Sequence, residues 1–308
     1  MIKYILVIAS ILLSTCLSAC SSTSSMETTS EMQTASPTQT TSLTQNASPT
    51  QTASPIQTTD PNQTTVTFVG NSGFLVTIGE YKILIDGIFT GFASEYIQPT
   101  EIQELIANAQ PPFDNIDLIL VTHAHDDHFN IKRVSDYLLK NPGTAFVSTP
   151  GAADSLLRRP QLKDRVTSIS LKSGESRELS VNGIRVVAYD ISHGFGPNGE
   201  TYPNLGFLVD VDGVKFFHTG DMDPSIVTAT YLKMLGLPEE KIDIAFLQHF
   251  LFRSSDAFSQ AAQGVAARYY IPIHYQFTTP TMNKELILRI VPIAILFDKE
   301  MDTWVVPN

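Results

Sequence analysis

The chain has 308 residues, 43% hydrophobic and 17% charged, a balance that suits a globular protein with a sizeable core and excludes a fibrous or wholly disordered one. Its net charge of −11 argues against nucleic acid as a partner, because Lys and Arg contacts to phosphate supply most of that affinity. Both cysteines, Cys16 and Cys20, precede the globular region, which therefore has no disulfide and no thiol nucleophile.

Met1-Ile2-Lys3 supplies a positive start, and the apolar run Tyr4 to Leu13 is about half the length of a membrane-spanning helix. Residues 1–19 therefore read as a signal peptide. Its end, Leu17-Ser18-Ala19-Cys20, resembles the lipobox of bacterial lipoproteins. The resemblance implies that Cys20 is lipidated and that the exported chain is held on a membrane by this anchor, its domain on the extracytoplasmic side. From Ala35 to Thr64 the chain repeats six-residue units such as Ala35-Ser36-Pro37-Thr38-Gln39-Thr40. Only Leu43 and Ile56 in this tract are large and aliphatic, so burial cannot offset the ordering entropy. Residues 20–64 read as a disordered tether rich in Ser, Thr, Pro and Gln.

The globular part spans residues 65–308. Val66 to Val69, Phe74 to Ile78 and Lys82 to Ile85 read as closely spaced antiparallel strands joined by Gly-bearing turns. Thr100 to Gln103 matches a capping box and opens a helix that ends before Pro111-Pro112. Asp117 to Val121 reads as a buried strand. Asn130 caps a helix through Lys140, with Ile131, Val134, Leu138 and Leu139 on one face. Further strands are predicted near Val166 to Ser170, Gly183 to Tyr189, Leu205 to Val211, Val214 to His218, Ile242 to Leu247 and Tyr270 to Ile273. Helices fall near Pro224 to Leu235 and Ala257 to Arg268. A meander followed by alternating strands and helices predicts an α+β fold of two mixed sheets with helices outside.

The densest chemistry lies in His123-Ala124-His125-Asp126-Asp127-His128, where the strand ending at Val121 gives way to a loop. Such a loop can aim several side chains at one point, whereas a helix needs ligands three or four residues apart. Imidazole and carboxylate donors together suit Zn, Mn or Fe, and no thiolate favours a purely structural zinc site.

The hexapeptide resembles the His-x-His-x-Asp-His signature of the metallo-β-lactamase superfamily. His193 in Ile191-Ser192-His193-Gly194, Asp221 in His218-Thr219-Gly220-Asp221 and His274 in Ile271-Pro272-Ile273-His274 follow in the family's order, each just after a predicted strand. The resemblance implies an αββα sandwich holding two divalent metal ions, with zinc first and Mn or Fe also compatible. It places His123, His125 and His193 on one ion and Asp127, His128 and His274 on the other, with Asp221 bridging. Asp86 resembles an aspartate that orients a ligand histidine; a turn carboxylate before Gly87 is the alternative. His218 is expected to be a hydrogen-bonded buried group. His249 has structural and substrate-binding roles equally open. Asp126 reads as an exposed loop acid, and Tyr202 and Tyr275 could steady a developing oxyanion or simply pack.

The implied activity is metal-dependent hydrolysis, in which a hydroxide bridging the two metals attacks an ester, phosphodiester or lactone and Asp127 or Asp221 moves the proton. The expected substrate is a small molecule or a lipid. Within the superfamily the likeness is nearest to the ascorbate-phosphate-lactonase-like and N-acyl-phosphatidylethanolamine phospholipase D-like branch. In Gly70-Asn71-Ser72-Gly73, however, Asn71 stands where that branch carries histidine. The alternative is a surface-displayed metal-binding lipoprotein of the same fold without turnover.

Overall fold

The computed structural model describes residues 63–92, 96–194, 201–274 and 284–307, all within the unit Gln57–Asn308. The signal peptide, Cys20 and the tether up to residue 62 lie outside the described residues.

Three strands, β1 (Thr64–Gly70), β2 (Gly73–Ile78) and β3 (Tyr81–Ile85), form the predicted antiparallel opening. A short ribbon, β4 (Gly91–Phe92) with β5 (Tyr96–Ile97), precedes α1 (Thr100–Ala107). Then come β6 (Leu118–Val121), α2 (Ile131–Lys140), β7 (Ala145–Ser148), α3 (Pro150–Leu157) and β8 (Val166–Ser168). The second half runs β9 (Ser176–Val181), β10 (Ile184–Asp190), β11 (Leu205–Val211), β12 (Val214–His218), α4 (Ala229–Met234), β13 (Ile244–Gln248), α5 (Ser255–Val265), β14 (Tyr269–Ile273) and α6 (Lys284–Ile290). A last strand, β15 (Thr303–Val305), returns to the edge of the first sheet beside β1.

Strand order is β15-β1-β2-β3-β6-β7-β8 in one sheet and β14-β13-β12-β11-β10-β9 in the other. Alternation along each strand sorts the side chains into three apolar layers. Phe74, Val76, Leu118, Leu120, Val186, Phe207, Phe216, Phe246 and Ile271 face between the sheets. Leu75, Leu84, Ile119 and Phe146 point to the other side of the first sheet and meet Ile102, Ile106, Val134, Leu138 and Leu156 of α1 to α3. Leu208, Phe217, Ala245 and Tyr270 do the same on the second sheet against Leu232, Ala261, Val265 and Ile287 of α4 to α6. The result is the αββα sandwich, and burial on both strand faces explains why Leu118–Val121 and Ile244–Leu247 read as continuous apolar runs. Among the described residues no helix is long and apolar enough to cross a membrane.

Two local expectations are corrected. The capping box at Thr100 does not form: Thr100 is the first helical residue after Pro99, and Gln103 Nε2 donates to the main-chain oxygen of Gln98 at 2.5 Å. Pro99 leads the helix because its preset φ of −53° already suits the entry. Asn130 does cap α2, its side chain accepting from Arg133 N, but Ile131 and Leu139 are each 42% exposed. The buried face is Val134, Tyr137 and Leu138, and Tyr137 is held there by its hydroxyl donating to Phe113 O at 2.7 Å. The edge strands β9 and β15 escaped the sequence reading because a solvated edge shows no apolar run.

Phe74 and Phe246 pack ring to ring across the sheets, centroids 4.7 Å apart, with Phe68 and Phe216 beside them. Phe246→Ala removes this inter-sheet contact and is expected to cost roughly 3–5 kcal/mol, measured as the shift in denaturant midpoint of the full-length chain.

Candidate metal centre

β1 and β3 run parallel, as do β3, β6, β7 and β8, while β10, β12, β13 and β14 share a direction in the second sheet. The loops at the C-terminal ends of these strands carry the polar cluster. Asp86 follows β3, His123 to His128 follow β6, His193 lies beyond β10, Asp221 beyond β12 and His274 directly after β14.

All seven predicted ligands converge. Their donor atoms form three overlapping triads, His123/His125/His193, His123/His128/Asp221 and Asp127/His128/His274, each with its ligand atoms within 4.8 Å of one another. His123 Nε2 lies 3.0 Å from His125 Nδ1. Asp221 Oδ2 lies 3.9 Å from His123 Nε2, 3.4 Å from His193 Nε2 and 3.2 Å from His274 Nε2, and its Oδ1 is 3.4 Å from His128 Nε2. Asp221 thus faces donors of both half-sites, while Asp127 Oδ2, 3.1 Å from His274 Nε2, belongs to one.

Asp86 is completely buried and orients two of the histidines. Its Oδ1 accepts from Thr122 N at 2.8 Å, and its Oδ2 accepts from Thr122 Oγ1 at 2.7 Å and from His128 Nδ1 at 2.8 Å. Having given its proton to Asp86, the Thr122 hydroxyl can only accept from His123 Nδ1, 3.0 Å away. One carboxylate therefore sets the tautomer of His123 and His128 together and leaves both Nε2 lone pairs facing inward.

His128 Nε2 is the clearest sign of what belongs there. It is buried without a hydrogen-bond partner, aimed between two carboxylates. A buried polar atom is costly when unsatisfied, and a divalent cation would satisfy it along with the surrounding nitrogens. The donor set of imidazoles and carboxylates fits such an ion, with Zn, Mn and Fe all chemically suited.

The electrostatics agree. Burial opposes charge on Asp221, but His128 and His274 outweigh it and hold the carboxyl well below its usual range. Burial also opposes charge on Asp127, yet a hydrogen bond from His274 and the nearby His128 keep it lowered. In the metal-free chain burial disfavours imidazolium at His128, but Asp221 and then Asp86 push its pKa well up. His274, against burial, is raised to about 10 by Asp221 and by its hydrogen bond to Asp127. His123 goes the other way, lowered by burial first and by its neighbour His128 second. The cluster demands positive charge at its centre.

Several residues around the ligands were not foreseen as partners. Gln248 Nε2 donates to Asp221 Oδ1 at 2.5 Å, and Asn204 Oδ1 accepts from Asp221 N at 3.2 Å. Asn71 Nδ2 donates to Asp127 Oδ2 at 3.1 Å. None lies in the metal-binding motifs, and only the fold brings Gln248 and Asn204 to Asp221. Asn71, Asp86 and His274, at the rim of the centre, adopt left-handed φ of 51°, 47° and 57°. Gly220, φ 58°, has no alternative: a Cβ there would lie 2.3 Å from Asn204 Oδ1 and 2.7 Å from Thr122 Cβ.

The remaining candidates separate cleanly. His218 is fully buried with both nitrogens used, Nε2 donating to Ser72 O and Nδ1 accepting from Gly220 N, each at 3.0 Å. His249 Nε2 accepts from Arg253 Nη2 at 3.0 Å; burial foremost, then Arg253 and His274, lower its pKa to about 4. Asp126 is exposed. Tyr202, 41% exposed, stands with its ring centroid 5.8 Å from that of His125 and 6.2 Å from that of His193. It walls a cleft of about 200 Å³ that also involves Ala124, Thr149 and Gly151. Tyr275 lies outside the described residues.

A pKa raised on folding contributes stability below the unfolded value and loses it as pH rises through the folded value. For His274 in the metal-free chain that window runs from about 6.5 up to about 10. At roughly pH 8 the proton is still bound, so a metal ion must displace it. Titration of the metal-stripped chain with zinc in buffers of different ionisation enthalpy is expected to show net proton release, and an uptake heat independent of buffer would contradict this.

The family model described as Beta-lactamase superfamily domain matches residues 65–274. A UPF0173 metal-dependent hydrolase of Thermococcus onnurineus is 28% identical over 221 residues, covering 70% of this chain and 86% of its own length. One of Thermus thermophilus is 29% identical over 220 residues, covering 70% and 85%. Among solved structures, the metallo hydrolase Igni18 of Ignicoccus hospitalis is similar with a TM-score of 0.54 at 17% identity, covering 80% of this chain and 99% of that one. The metallo-beta-lactamase fold protein YhfI of Bacillus subtilis gives 0.51 at 12% identity, covering 79% and 99%. These two likenesses speak for the fold. With the model matching most of the chain and the αββα architecture in place, the chain belongs to the beta-lactamase superfamily and has the metallo-β-lactamase fold.

Proposed function

We propose that this chain is a dinuclear metal-dependent hydrolase acting on an ester, phosphodiester or lactone. The observation that carries the reading is the overlap of three ligand triads at His123 and His128 around Asp221. The relatives named metal-dependent hydrolases support the reaction class. In it, His123, His125 and His193 hold one ion, Asp127, His128 and His274 the other, and Asp221 faces both. Two divalent ions, when bound, supply a nucleophile from water at neutral pH and polarise the attacked group.

The protein's own part is to aim those ligands and keep them partly dry. Asp86 and Thr122 fix the imidazole tautomers. Asp127 and Asp221 remain ionised near neutral pH and are the groups placed to accept a proton from the attacking water. The cleft beside Tyr202 offers room for the substrate next to His123 and His125.

The test is metal analysis of the purified chain coupled to ester, phosphodiester and lactone panels. His123→Ala and Asp221→Ala are each expected to lose bound metal and to depress hydrolysis by more than the 10–100-fold, roughly, that follows loss of an outer-shell partner. Undiminished metal content and turnover in both variants would rule the reading out. We read Cys20 as the lipid-bearing residue. Cys20→Ser is expected to move the chain from the membrane fraction to the soluble fraction, and unchanged membrane association would refute the anchor.

A further inference from the structure

The turn between β1 and β2 reaches three of the segments that build the metal centre. Asn71 Nδ2 donates to Asp127 twice, to its main-chain oxygen at 3.1 Å and to its Oδ2 at 3.1 Å. Both partners are acceptors, so the nitrogen end of the carboxamide is the one that faces them. The main-chain oxygen of Asn71 accepts from His274 N at 3.3 Å. One residue on, Ser72 O accepts from His218 Nε2, and His218 Nδ1 accepts from the N–H of Gly220, the residue before Asp221. Asn71 itself is 2% exposed.

The atom that Asn71 grips is informative. Asp127 Oδ2 is the oxygen that also lies 3.1 Å from His274 Nε2 and 3.7 Å from His128 Nε2. With one N–H on that oxygen and the other on the same residue's main chain, the carboxamide locks the Asp127 side-chain torsions. Its backbone simultaneously steadies His274, whose left-handed conformation leaves that residue dependent on its neighbours.

We infer that Asn71 is a positioning residue for the Asp127/His128/His274 half of the centre, holding Asp127 and His274 in the arrangement that receives a divalent cation. The inference rests on the dinuclear reading above. It differs from an ordinary turn role, since an asparagine needed only for its φ of 51° could become glycine without loss.

The experiment titrates metal-stripped, full-length chain with zinc by calorimetry under chelator competition, for the wild type, Asn71→Gly and Asn71→Asp. Glycine keeps the left-handed turn and removes both donors; aspartate keeps size and turn tolerance but sets a second carboxylate against Asp127. The melting temperature of each metal-free variant reports whether the fold is retained. The wild type is expected to take two equivalents. In either folded variant one equivalent keeps its affinity and the other weakens by about 10–100-fold. A wild type that does not bind two equivalents overturns the dinuclear reading and this inference with it. A wild type that binds two, beside a folded variant that binds both with unchanged affinity or loses both alike, overturns this inference alone.

Discussion

Two ionised carboxylates, Asp127 and Asp221, are buried within reach of the same histidines, and most of the site is an answer to that arrangement. A buried charge without partners is among the most expensive things a fold can contain. Four imidazoles place a nitrogen within 4 Å of Asp221, and two of those also approach Asp127. Neutral carboxamides add donors at the margins, Gln248 to Asp221 and Asn71 to Asp127. The third buried carboxylate, Asp86, is kept out of the cluster by being used elsewhere, on Thr122 and the far nitrogen of His128. What remains is a group of lone pairs and negative charge whose natural complement is a multivalent cation.

The sandwich makes the arrangement affordable. Parallel strands in both sheets end at one edge, so five loops deliver side chains to one place. The aromatic layer of Phe68, Phe74, Phe216 and Phe246 ties the two sheets together beneath them. The left-handed residues and Gly220 bend the chain sharply at the strand ends, and their strain is tolerated because the surrounding hydrogen bonds over-determine them.

Family membership and the ligand set converge on hydrolysis, but neither selects the substrate. Beside the centre lies a cleft lined by Ala124, Gly151 and Tyr202, the tyrosine ring standing near those of His125 and His193.

Much of this was legible in the linear order of residues. The His123-to-His128 hexapeptide is local, so its chemistry could be read without a fold, and His193, Asp221 and His274 were singled out by their resemblance to the superfamily's motif order. Most strands buried on both faces were visible as apolar runs, but the short buried strand β7 was not predicted, nor were β9 and β15, solvated at sheet edges. The capping box at Thr100 failed because a proline before it set the helix entry first. The sequence by itself showed the His123-to-His128 cluster and the succession of strands and helices, which depend on residue type and short-range periodicity, while its resemblance to the superfamily implied the αββα sandwich and the remaining candidate ligands. Only the tertiary structure decided that Asp86 serves His123 and His128 together, that His218 is spent on Ser72 and Gly220, and that Asn71 and Gln248 reach the two carboxylates. Apart from the short His218–Gly220 bond, those contacts join residues from 27 to 146 positions apart, and no local pattern encodes a hydrogen bond whose partners meet only when the chain folds.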